Sequence, residues 1–255
     1  MISLFFRRLF MTVSSSKRCP NGKRCYSGFY NNGHAVYFYD LCSGNRIYNG
    51  KFWYKRKSYN NPSGRLLETA IGYFKNNKKN GKWEFTQKSK GLNKKLIASF
   101  TDGKHEGIYN YKAVCHSRTF NFKTGKTTLK LRMSAELPVG EVKGYFYGEK
   151  LTGHYDNAGR PDGLWQMDRT KTACCIKDFE IWEHGICKES YSVDESTGEK
   201  TRTRSQIPEL VANIIYKEGS YMERLTNKKS TTYHNPTPYK TLVDTIKNKN
   251  RPSRK

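Results

Sequence analysis

Three stretches of the 255-residue chain share one layout. Gly72-x-Phe74, Ala98-x-Phe100 and Gly153-x-Tyr155 each set a small residue two places before an aromatic. Three or four residues later comes Asn77, Gly103 or Gly159, four further on Gly81, Gly107 or Gly163, and two beyond that Trp83, Tyr109 or Trp165. Steps of two put side chains on the same face of a strand. Each copy therefore reads as a strand, a tight turn and a return strand with one apolar face. The turn residue has to take a positive φ, which Gly does freely and Asn tolerates best among the rest, so Asn77 can stand where the other copies have Gly. The second glycine of each copy is expected to open the return strand and to let an aromatic of a neighbouring hairpin lie across its bare backbone.

A worn fourth copy runs through Trp182, Gly185 and Tyr191, with Glu189 in place of the second glycine. Between Gly107 and Gly153 there is room for one more degraded copy. A second turn type recurs at Asp40–Asn45, Asn121–Lys126 and Asp194–Glu199: Asp or Asn, two residues, Ser or Thr, Gly, then a polar residue. The Asp or Asn side chain can bond the backbone that follows, and Gly supplies the left-handed position. Two turn types in alternation make a meander of antiparallel strands over residues 37–204, preceded by a partly irregular segment 1–36. Only 35% of the chain is hydrophobic while 14% is aromatic, which suits a mainly β fold with a thin aromatic core.

At these residues the chain resembles the MORN repeat in its bacterial variant form, in which Gly-x-Tyr/Phe precedes a Gly-Lys-x-x-Gly-x-Trp turn. Gly72, Phe74, Gly81 and Trp83 fit one copy. Gly103, Lys104, Gly107 and Tyr109 fit another, and Gly153, Tyr155, Gly159, Gly163 and Trp165 fit a third with one extra turn residue. The resemblance implies an elongated antiparallel sheet of stacked hairpins with no catalytic set of its own. It also implies a scaffold, a protein-binding module or a phospholipid contact; bacterial variants carry the label antitoxin-like.

From residue 205 the period changes. Ile207, Leu210, Val211, Ile214 and Ile215 form a helical apolar stripe, with Ser205 as cap, Pro208 in the first turn and Gly219 as the stop. A repeat array leaves its last unit uncovered, so this helix is expected to cover the end of the sheet. Thr237, Tyr239, Leu242, Val243 and Ile246 suggest a second helix, which makes residues 205–246 a helical cap. Residues 247–255 carry Lys247, Lys249, Arg251, Arg254 and Lys255 without an acid, and are expected to be a disordered basic tail.

The net charge is +25, from 47 basic and 22 acidic residues. Such a chain attracts phosphate, anionic lipid or acidic protein. The candidate contacts are Lys78 and Lys79 in a hairpin turn and the five tail bases. Enzymatic constellations are missing from the sequence. The seven cysteines make no C-x-x-C pair, the six histidines no H-x-x-x-H or HExxH, and the Gly-Lys-Thr-Thr run from Gly125 lacks the upstream glycine of a phosphate loop. No catalytic, cofactor-binding or metal-ligating residue is expected, and no small-molecule substrate. Arg7 and Arg8 break the apolar start, and no stretch approaches the ~20 apolar residues of a membrane span, so the expected location is cytoplasmic. Two roles follow: a protein-binding or scaffold module acting through an aromatic, basic sheet face, or a polyanion binder for nucleic acid or anionic membrane.

Overall fold

The computed structural model describes residues 17–18, 24–61, 64–115, 125–169, 175–204 and 206–227. The expected second helix and the tail bases Lys247, Lys249, Arg251, Arg254 and Lys255 lie outside them. Fifteen strands follow one another: β1 (Lys17–Arg18), β2 (Arg24–Tyr30), β3 (Gly33–Cys42), β4 (Asn45–Asn61), β5 (Gly64–Lys75), β6 (Lys78–Ser89), β7 (Leu92–Thr101) and β8 (Lys104–Cys115). Then come β9 (Gly125–Ser134), β10 (Leu137–Phe146), β11 (Glu149–Tyr155), β12 (Gly163–Asp168), β13 (Ile176–Glu183), β14 (Ile186–Asp194) and β15 (Lys200–Arg202). They form one open antiparallel sheet in strict sequence order, followed among the described residues by the helix α1 (Ile207–Thr226). The hairpin-repeat sheet expected from the sequence is thus the fold, and it begins ahead of residue 37.

The inner face of the sheet holds the core. Register places Phe52 opposite Gly72, Trp83 opposite Ala98, Ala98 opposite Tyr109, Tyr109 opposite Leu131, and Val142 opposite Gly153. Large and small side chains alternate from strand to strand, so that the indoles and phenols fill the space their small neighbours leave. Phe52, Trp83, Ala98, Tyr109, Val142 and Trp165 are all buried, as are the flanking aromatics Phe74, Phe100 and Tyr155.

The first turn residues behave as expected: Asn77, Gly103 and Gly159 have φ of 65°, 85° and 72°. Four turns also tie to the hairpin before them, through Asn77 N–H to the Tyr48 carbonyl (2.9 Å), Gly103 N–H to Lys79 (2.8 Å), Glu136 N–H to His105 (3.1 Å) and Gly185 N–H to Pro161 (2.8 Å), while the Gly159 N–H stays within its own turn on Asp156 (3.0 Å). The second glycines do something else than expected. Gly81, Gly107 and Gly163 carry no aromatic from a neighbouring hairpin; they take φ of 67°, 94° and 69°. Gly81 and Gly107 do so inside β-bulges, where three residues oppose one and the strand bends. The aromatics lie instead across the first glycines, Trp83 on Gly72 and Trp165 on Gly153. Two further copies become visible by their bulges: Gly50 after Tyr37 and Tyr39, and Gly140 after Leu131 and Met133. The latter is the degraded copy inferred between Gly107 and Gly153.

The helix corrects two expectations. It does not stop at Gly219 but continues to Thr226, and it lies across the inner face rather than at the end of the sheet. At its start the Ile207 N–H reaches Glu180 of β13 (3.0 Å), and the Tyr155 hydroxyl donates to the Pro208 carbonyl (3.5 Å). In its middle Glu218 meets Lys94 of β7 (2.9 Å), and Tyr221 donates to the Thr86 carbonyl of β6 (3.0 Å). At its end the Tyr30 hydroxyl of β2 donates to the Thr226 carbonyl (2.5 Å). Strands β2 and β13 are eleven steps apart in the sheet order, about 53 Å if the sheet were flat. The 20-residue helix is only about 30 Å long. The sheet is therefore curled around the helix, bent by its bulges, and the aromatic face is closed by Ile207, Val211, Ile215, Met222 and Leu225.

Candidate interaction face

The curl sorts the charges. Among the described residues the fully buried charged side chains are Glu68, Glu149, Asp178, Glu180 and Glu218; no lysine or arginine is buried to the same degree, although Lys79 and Lys94 turn inward. These acids hold the interior polar groups. Glu68 bridges Arg56 (3.0 Å) and Arg224 (3.0 Å), joining β4 and β5 to α1. One Glu180 oxygen accepts the Gln206 and Ile207 N–H groups at the helix start (2.6 and 3.0 Å), and the other accepts the Trp182 indole N–H (2.9 Å). Ser205, the expected cap, lies outside the described residues; a β13 carboxylate at the positive end of the helix does that work. Asp178 accepts the Ser192 hydroxyl (2.6 Å) and pairs with Arg169. With these five acids turned inward, the outer face between β4 and β11 is left strongly basic.

On that outer face register lines up Lys55, Thr69, Thr86, Lys95, Lys112 and Thr128 across β4 to β9, and continues through Tyr145 to Lys150. Two residues along the strands lies Lys57, Leu67, Lys88, Asn93, Val114 and Lys126. Two residues the other way lies Trp53, Ile71, Glu84, Ile97, Asn110, Lys130 and Lys143. Lys57, Lys88, Lys95, Lys112, Lys126, Lys130, Lys143 and Lys150 are exposed. The one acid in these rows is Glu84, paired with Lys95 (2.8 Å); beside them on β10, Glu141 pairs with Lys143 (2.6 Å). Exposed pairs of this kind hold their partners weakly, so these lysines stay available to an anion.

The residues singled out in the sequence fall elsewhere. Gly72, Phe74, Gly81, Trp83, Phe100, Gly103, Gly107, Tyr109, Gly153, Tyr155, Gly159, Gly163 and Trp165 build core and turns. Lys78 is exposed in its turn, but Lys79 is not a surface charge. It pairs with Phe74 on the inner face, and its ammonium stands 5.6 Å from the Phe100 ring centre. Burial lowers its pKa, opposed by the nearby Glu223 and Glu136 carboxylates. The single aromatic and basic face also divides in two, for most of the aromatics face α1 while most of the lysines face outward. The outer lysines have a signal in the sequence that the turn-based reading missed: Lys55, Lys95, Lys112, Lys130, Lys143 and Lys150 each adjoin a buried residue, so strand alternation turns them outward.

A cleft of about 540 Å³ near the helix start is lined by Arg169, Asp178, Glu180, Ser192 and Thr203, but its two buried carboxylates are committed to the contacts above. No group of three His, Cys, Asp or Glu could hold a metal ion, and no helix is long and apolar enough to cross a membrane, among the described residues. No family model matches this chain, and no curated protein matches it.

Proposed function

We propose that the chain is a non-catalytic repeat scaffold, MORN-like in its hairpin pattern, that holds an anionic macromolecule against the outer face of its sheet. One observation carries this reading: the fold fully buries five carboxylates and no lysine or arginine to that degree among the described residues, and the outer face between β4 and β11 carries lysines on seven of its strands. Such a band offers many weak contacts whose sum is strong at low salt and fades as salt rises. The buried aromatics contribute by fixing the curvature, not by touching the partner.

The test is an equilibrium titration of fluorescent poly-L-glutamate and of a mixed-sequence oligonucleotide at several salt concentrations. The reading expects at least one to bind with affinity falling steeply with salt. Lys112→Glu/Lys130→Glu/Lys143→Glu should weaken that binding and flatten the salt slope by about 2 to 3 for a nucleic acid. Failure of both probes to bind, or the same slope in the variant, overturns it.

A further inference from the structure

We infer that the partner of this face is an acidic amphipathic helix of another protein rather than a nucleic acid; the inference rests on the polyanion reading above. The lysines are not alone on the outer face. Register sets Val36, Trp53 and Ile71 side by side across β3, β4 and β5, and carries the same row through Glu84 to Ile97 on β7. Ile71 is 47% exposed. On β8 the row meets Asn110, and Ile108, 61% exposed, adds an open apolar side chain two residues away on the same strand.

Lysines border this row on both sides. Lys51 and Lys55 flank Trp53 on the same face of β4, and Lys95 flanks Ile97 on β7. The row runs across the strands, not along them, for about 24 Å from β3 to β8. An extended peptide adds to a sheet along a strand edge, so it does not follow such a row. A helix of about 16 residues does. On the concave inner face α1 crosses the strands in the same direction and sets Glu218 on Lys94. A nucleic acid backbone would satisfy the lysines and leave Ile71 and Ile97 against phosphate and water. A helix with an apolar stripe and flanking carboxylates satisfies both.

Three probes separate the possibilities: an 18-residue helical peptide with a leucine stripe flanked by glutamates, a scrambled peptide of the same composition, and an 18-nucleotide single strand. The full chain and its Ile71→Thr/Ile97→Thr variant are titrated with each; threonine keeps the β-branched strand preference on this exposed face. The inference expects the striped peptide to bind at least tenfold tighter than the scrambled one, and the variant to lose most of that difference with the salt slope unchanged. If the striped and scrambled peptides bind alike, or the nucleotide strand binds tightest and the variant matches the parent, the helix is wrong while the polyanion reading stands. Binding by none of the three overturns both.

Discussion

The indole of Trp83 sits directly on the backbone of Gly72: a β-carbon there would stand 2.0 Å from Trp83 Cδ2. Trp165 treats Gly153 the same way, at 2.2 Å from its Cε3. Glycine at these two places is a matter of space. At Gly81 it is a matter of backbone, for a β-carbon there meets nothing within 4 Å but the φ is 67°. Gly72→Ala is therefore expected to cost about 3 kcal/mol by overpacking, and Gly81→Ala about 1 kcal/mol by left-handed strain. Urea denaturation of the two variants measures the order; equal losses would contradict the assignment.

Neighbouring lysines of one turn should differ in kind. Lys78 is exposed, while Lys79 points inward over Phe100 between Glu223 and Glu136. Lys79→Glu puts a third carboxylate beside two others and is expected to lower stability by about 2 kcal/mol, while Lys78→Glu changes it by less than about 0.5 kcal/mol. Thermal melts of both variants check this.

His105 gives the fold an acid limit. It is buried against Phe100 and Tyr109, and burial together with the Lys79 charge holds its pKa down to about 3. The unfolded chain takes a proton at the ordinary 6.5. Its contribution is therefore complete above pH 6.5 and is lost as pH falls from there toward 3, by about 1.4 kcal/mol per unit. Replacing His105 with Gln should flatten the stability profile between pH 6 and 4 by about one proton. An unchanged slope would place the titrating group elsewhere.

The hold of Glu180 on the helix start is testable locally. Its carboxylate accepts the Gln206 and Ile207 N–H groups. Glu180→Ala leaves them without that partner and is expected to cost about 2 kcal/mol. Hydrogen exchange should speed up first in residues 207–212, before the β6–β7 hairpin changes.

Much of this fold is legible in the sequence because hairpin repeats write their rules locally. Small residues two before aromatics, and Gly or Asn at the turn, depend only on strand parity and backbone φ. What stayed hidden depends on neighbours across the sheet. Gly72 and Gly81 look alike in the chain, and only register decides which one receives Trp83. The position of α1 follows from curvature, which the bulges set and no single segment encodes. Lys79 was within reach: it stands four residues before Trp83 and shares its face, as Tyr48, His105 and Pro161 do before Phe52, Tyr109 and Trp165. The lysine band appears only when β4 to β11 are laid in register, because each of its members is an ordinary outward residue in its own strand.

Lysine footprinting with an acetylating reagent, read by mass spectrometry with and without poly-L-glutamate, tests the central claim most directly. The account predicts that Lys55, Lys95, Lys112, Lys130 and Lys143 become protected together while the turn residue Lys78 keeps its reactivity. Protection confined to Lys78, or spread evenly over all exposed lysines, would contradict an outer-face binding site.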